Sequence, residues 1–242
     1  MINDKCLALA IGNSRLHWAL FKDNALHQTW HTPHLQKAVE KNQLPEELST
    51  LPLYIASVVP SQTALWQNYQ RKKLLTLKDV PLSGMYPTLG LDRALALWGA
   101  GCVYGFPVLV IDGGTALTFT GANPQGEILG GAILPGLGLQ LKALQQQTPG
   151  LPQIQLPKQV PARWALETKE AIASGITRVL TAGIYDFIQD WQRKFPHSQI
   201  VFTGGDGELL LTYLKAQFPV LKENLLVDSQ LIFLGIRSIA IN

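Results

Sequence analysis

Asp112-Gly113-Gly114-Thr115 stands between two apolar, β-branched runs in VLVIDGGTALTFT, residues 108–120. A carboxylate, two glycines and a hydroxyl suit the binding of a hard cation and a phosphate. Asp112 can hold a magnesium ion, Gly113 and Gly114 let backbone amides close on an anion, and Thr115 adds a hydroxyl donor. The same residues also make an ordinary Asp-Gly hairpin. A second turn, Gly12-Asn13-Ser14-Arg15, separates two apolar runs in residues 6–22 and can likewise present polar atoms to a phosphate. Thr203-Gly204-Gly205-Asp206-Gly207 follows an apolar run and precedes a helical pattern; Gly204 and Gly205 bring backbone close to a nucleotide's sugar or α-phosphate, or form a plain strand-to-helix turn. Asp92, in Gly90-Leu91-Asp92-Arg93, opens an almost wholly apolar helix. The helix N-terminus stabilises its anion, and it can orient an alcohol or accept its proton. A simple N-terminal charge or an Asp92–Arg93 salt bridge are the alternatives.

The elements that must position these groups follow from hydrophobic period and breakers. Strands are predicted on both sides of Gly12–Ser14, over 53–60 up to Pro60, over 74–80, on both sides of Gly113–Thr115, over 199–203 and over 225–227. Helices are predicted around 33–42, over 62–73, from Asp92, over 136–147, over 168–195 and over 231–239. Thr168 is placed as the cap of the long helix. Ala171, Ile172, Gly175, Ile176, Val179 and Leu180 form that helix's apolar face, with Gly175 and Gly183 packing closely. Residues 84–90 form a loop carrying Tyr86, and 148–166 a Pro- and Gln-rich loop. His27, His31 and His34 read as surface histidines, without a carboxylate or cysteine at a metal-binding offset.

The two halves repeat one order: strand, glycine turn, strand, then helix, strand and helix. IASVVPSQTALW in the first stands where VFTGGDGELLLT stands in the second. Two similar α/β lobes follow, 1–106 and 107–242, each offering a turn to a cleft that suits a nucleotide triphosphate.

Composition narrows the class. Among 242 residues, 47% are hydrophobic and 15% charged, which suits a packed globular chain. A net charge of +3 with a single basic cluster, Arg71-Lys72-Lys73, argues against nucleic acid. Two cysteines make no disulfide framework, and with no long apolar window the chain is expected to be cytoplasmic and off the membrane. P-loop, Rossmann, GxSxG and HExxH signatures are absent.

In order along nearly the whole chain, Gly12-Asn13-Ser14-Arg15, Gly90-Leu91-Asp92-Arg93, Asp112-Gly113-Gly114-Thr115-Ala116 with Thr118, LGGAILPGL at 129–137, Thr168 with AIASGI at 171–176, and Thr203-Gly204-Gly205-Asp206 resemble the motifs of the type III pantothenate kinases. The resemblance implies an α/β fold of two actin-like (ribonuclease H-like) lobes, with mixed sheets flanked by helices and the active site in the cleft between them. It also implies phosphorylation of the terminal hydroxyl of pantothenate by ATP, with Mg2+ and a monovalent cation (K+ or NH4+), in a homodimer. Asp92 would be the base, with Tyr86, Gly90, Leu91, Arg93 and Thr168 on the substrate. Gly12, Asn13, Ser14, Arg15, Gly113, Gly114 and Thr115 would cradle phosphates, Gly204 and Gly205 would lie against the nucleoside, and Asp112 would hold magnesium. Ala10 and Thr120 stand where the family commonly has aspartates; Asp4 is too distant along the strand to replace the first easily. The alternative is a non-catalytic, nucleotide-binding regulator of the same fold, like the Bvg accessory factor.

Overall fold

The computed structural model describes residues 5–39, 46–221 and 224–241; Asp4 and residues 40–42 of the helix expected over 33–42 lie outside them. Two units, Met1–Val103 with Gln230–Asn242 and Tyr104–Ser229, divide the chain.

The first unit begins with β1 (Cys6–Ile11), β2 (Leu16–Lys22) and β3 (Ala25–Thr32), then α1 (Glu46–Ser49), β4 (Leu53–Ser57), α2 (Pro60–Ala64), β5 (Lys72–Leu74) and α3 (Leu91–Tyr104). Its sheet has the order β3-β2-β1-β4-β5, with β1 antiparallel to β2 and parallel to β4. Alternation sorts the side chains. Leu7, Leu9, Ile11, Leu16, Trp18, Leu53 and Ile55 build one core with Trp66, while the opposite face of the same strands carries the small, buried Ala8, Ala10, Ala19 and Ala56. Asp23 and Asn24, both at positive φ (49° and 66°), make the tight turn between β2 and β3.

Three local expectations differ from the fold. Residues 33–39 are irregular, because the Gln62 amide accepts from the Leu35 N–H at 2.9 Å and donates to its carbonyl at 3.1 Å. Those two bonds satisfy backbone groups outside any helix. The helix expected over 62–73 ends at Ala64, and Lys72 donates to the Gln67 and Tyr69 carbonyls of the turn that follows. The strand expected over 74–80 ends at Leu74, since Asp79 Oδ2 accepts from the Thr76 N–H and hydroxyl and winds Leu77–Asp79 into a 3₁₀ turn.

The second unit contains β6 (Val108–Gly113), β7 (Ala116–Ala122), β8 (Ile128–Pro135), α4 (Leu137–Gln147), α5 (Thr168–Lys194), β9 (Gln199–Thr203), α6 (Gly207–Gln217) and β10 (Leu225–Val227). Its sheet order, β10-β9-β6-β7-β8, repeats that of the first unit strand for strand. β6 is antiparallel to β7 and parallel to β9, as β1 is to β2 and β4. The fold is therefore a duplicated α/β arrangement of two mixed sheets flanked by helices. Ile111, Phe119 and Phe202 face a core shared with Ile176, Ile184 and Ile188 of α5 and with Leu210 and Leu214 of α6.

α5 spans 27 residues and is long and apolar enough, by length and composition, to cross a membrane. Ala173, Ile176, Leu180, Ile184, Ile188 and Trp191 are instead buried, so it is built as a core helix. Glu167, not Thr168, occupies the capping position, and Thr168 is its first helical residue. Ala171, Gly175, Val179 and Gly183 are exposed, and among the described residues, apart from the helix's own backbone, no atom lies within 4 Å of where a side chain would begin on either glycine. The close packing expected at Gly175 and Gly183 is thus absent among the described residues. The buried face is rotated from the expected one, because polar Thr177 and Thr181 point inward and Thr181 bonds the Thr177 carbonyl and Gln217.

α7 (Leu231–Ile241) closes the chain against β1 and β4 of the first unit. Division at 106/107 by sequence order puts this helix in the other half. Its place is set by two glycines: a Cβ on Gly99 of α3 would strike the Leu231 carbonyl, and one on Gly235 would strike that of Leu95. Only bare backbone lets α3 and α7 approach so closely.

Candidate active site

The residues singled out in the sequence fall into separate local groups, each held by its own backbone. In the first unit, the loop before α3 delivers the acid. Leu89 N–H donates to the Tyr86 carbonyl at 3.0 Å and Ala94 N–H to the Gly90 carbonyl at 3.1 Å, so the chain passes directly from turn to helix. Asp92 Oδ1 accepts from the Arg93 N–H at 2.8 Å. Gly90 has no side chain because a Cβ there would stand 2.5 Å from Asp92 Oδ1. Burial raises the affinity of Asp92 for a proton, while the Arg93 amide, the Arg93 charge and Asp92's own amide pull the other way. Arg93 itself is 7% exposed and donates through Nη1 to the Tyr86 hydroxyl at 3.0 Å. Leu91 is buried. A carboxylate with raised basicity beside a buried guanidinium and a phenol can take a proton from an alcohol and hold a polar substrate.

Gly12-Asn13-Ser14-Arg15 forms a tight turn closed by the Gly12 N–H on the Arg15 carbonyl at 3.2 Å, with Asn13, Ser14 and Arg15 exposed. His34 Nε2 bonds the Gly12 carbonyl at 2.8 Å; since a carbonyl only accepts, that nitrogen carries the hydrogen. A Cβ on Gly12 would stand 3.8 Å from His17 Nε2. His17 and His31 rings meet edge to face at 4.7 Å. The sequence reading missed this grouping, although the period-2 alternation of β2 and β3 signals that His17 and His31 share a face.

In the second unit, Asp112 is the last residue but one of β6, paired with Thr118 on one side and Thr203 on the other. Two glycine turns close on its carboxylate. Gly204, at φ +80°, lies where any side chain would collide with Asp112 Oδ1, and a Cβ on Gly114 would stand 3.6 Å from the same oxygen. Gly113 accepts from the Asp206 N–H at 2.8 Å, and its own Cβ would stand 2.6 Å from Leu210 Cδ1. Gly114 N–H donates to the Ala116 carbonyl at 3.1 Å, and Gly136 N–H to the Thr115 carbonyl at 2.9 Å. Gly205 faces open space, and burial raises the proton affinity of Asp206 at the head of α6. Among the described residues no three His, Cys, Asp or Glu side chains cluster as metal ligands. A glycine cradle holding one carboxylate fits a magnesium ion that takes most of its ligands from phosphate oxygens and water. Thr120 is buried, paired with Val110 and Gly131, and Thr168 is exposed at the head of α5.

Residues 6–190 match the family model described as type III pantothenate kinase. The chain belongs to the type III pantothenate kinase family. It is 49% identical to a type III pantothenate kinase of Nostoc sp. over 98% of this chain and 95% of the relative. Another from Synechocystis sp. is also 49% identical, over 98% of this chain and 92% of the relative. Among solved structures, a Campylobacter jejuni protein described as a Baf family transcriptional activator superposes with a TM-score of 0.65, 23% identity and 96% coverage of both chains. MreB 5 of Spiroplasma citri bound to AMPPNP superposes at 0.53, with 10% identity and 98% and 95% coverage. These structural likenesses establish the actin-like fold of this family member and carry nothing for a regulatory role.

Proposed function

We infer that this chain phosphorylates the terminal hydroxyl of pantothenate with ATP, giving 4'-phosphopantothenate, the first step of coenzyme A biosynthesis. The observation that carries the reading is 49% identity to a type III pantothenate kinase over 98% of the chain. Asp92 is assigned as the base: it takes the hydroxyl proton as that oxygen bonds to the γ-phosphorus, while the bond to the leaving ADP oxygen breaks. Its raised proton affinity supports the role. Arg93, Tyr86, Gly90 and Leu91 are assigned to the acceptor, which Arg93 and Tyr86 can orient. Gly12–Arg15 and Gly113–Thr115 are assigned to phosphates, and Gly204 and Gly205 to the nucleoside. Magnesium held by Asp112 would neutralise phosphate charge as the γ-phosphoryl moves. A requirement for K+ or NH4+ is also assigned, with no acid at Thr120 to hold the ion.

A homodimer is supported by the exposed stripe of α5, where Ala171, Gly175, Val179 and Gly183 recur at one helical face and Val179 is 74% exposed. Trp164 (88% exposed) and Leu166 precede Thr168, whose assignment to substrate belongs with that dimer. A cytoplasmic location follows from the metabolic role.

The test is ATP-dependent phosphorylation of pantothenate by purified protein with Mg2+ and K+. Pantothenate-dependent ADP release is expected. Its absence in an ATP-binding, folded protein would overturn the kinase reading in favour of a nucleotide-binding regulator.

A further inference from the structure

The duplicated sheets allow the two turns to be compared position by position. In the second unit, one row runs across four strands as Ile133, Thr118, Asp112 and Thr203. The matching row of the first unit reads His31, His17, Ala10 and Ala56. Side chains of paired residues share a face, so each row presents its chemistry to one side. Where the second row has an acid with a hydroxyl on each side, the first has two methyl groups and two imidazoles. His17 Nε2 faces Gly12, and Arg15 closes the same turn.

From this geometry we propose that His17 is a proton-linked phosphate contact: it is neutral in the free protein and takes up a proton when the polyphosphate of ATP binds at Gly12–Arg15. The first turn then neutralises the phosphates with imidazolium and guanidinium, whereas the second does so through an acid and its metal. This rests on assigning Gly12–Arg15 to the nucleotide phosphates.

The groups facing His17 explain the direction. Burial, then His31 on β3, then Arg15 on the turn hold its pKa down to about 4. His34 reaches Gly12 from the segment after β3, with Nε2 committed to the carbonyl. β1 and β4 contribute Ala10 and Ala56 to its row. α7, packed on those strands, carries Arg237 over Phe21, which pairs with Cys6 at the opposite end of β1. Each charge that bears on His17 is a cation or a second imidazole. A bound polyanion supplies the missing counter-charge and favours the charged ring.

The test follows the Cε1–H resonance of His17 by NMR through a pH titration of the full chain, with and without saturating Mg-ATP and with no pantothenate. His17→Gln identifies the resonance, and His31→Gln, at an exposed position, marks it by the shift of the neighbouring ring's signal should the first variant not fold. With nucleotide the midpoint should rise by a unit or more. Calorimetry in buffers of different ionisation enthalpy should show more proton uptake on ATP binding by wild type than by His17→Gln. The affinity of the wild type should also fall more steeply than that of His17→Gln as pH rises from about 4 through the raised midpoint. ATP binding with an unmoved His17 midpoint overturns the proposal while leaving the kinase reading intact; no ATP binding at all overturns both.

Discussion

Asp92 Oδ1 fills the space that a side chain on Gly90 would need, 2.5 Å from where its Cβ would stand. The glycine therefore positions the acid. Asp92→Asn should lower kcat by about 10²–10⁴-fold, the usual contribution of a general base. Gly90→Ala should cost about 10²-fold by displacing Asp92, as a misplacement of roughly 1 Å does. Steady-state kinetics beside thermal melts checks this, and an alanine variant with full activity would end the positioning role.

Two groups give pH effects of opposite sign. Asp92 binds its proton more tightly folded than unfolded, so it lowers stability as pH rises from the ordinary carboxylate value through its raised one. Asp92→Asn should then raise Tm at neutral pH even as it slows transfer, and the acid limb of wild-type kcat should lie above the usual carboxylate range. His17 stays neutral down to about 4, against an ordinary histidine value of 6.5, so the unfolded chain takes up more protons there and stability falls as pH drops through that window. His17→Gln should flatten that part of the stability profile, measured by urea denaturation.

Gly204 holds a positive φ of 80° against the Asp112 carboxylate. Gly204→Ala adds both backbone strain and a collision with Oδ1. The KM for ATP and the half-saturating Mg2+ concentration should both rise, by about tenfold if the distortion costs roughly 1.4 kcal/mol. Titrating each in turn separates this from a loss of folded protein.

Close approach of α3 and α7 depends on Gly99 and Gly235. Alanine at either site overpacks backbone against backbone and should destabilise by about 1–3 kcal/mol. Denaturant unfolding gives the number; an unchanged midpoint would show that the helices can separate freely.

Val179 sits in the exposed apolar stripe of α5. Val179→Asp should turn a dimer into a monomer in sedimentation velocity with the fold retained. A wild-type chain that sediments as a monomer at micromolar concentration would remove the dimer assignment.

The sequence by itself determined the two glycine-turn hairpins, the strand-turn-helix at Gly204, the buried helix behind Asp92 and the repeated order of elements. Each is local: apolar period and breakers act within a dozen residues, and six ordered motifs fix a family. Tertiary structure alone decided that α7 joins the first unit, because two glycines 136 positions apart must meet (Gly99 and Gly235). It also decided which face of α5 is buried, where the inward Thr181 hydroxyl finds partners that composition does not reveal. The same holds for His17, His31 and His34. They read as surface or strand positions along the chain, and strand register with one long-range bond to Gly12 gathers them at a single turn.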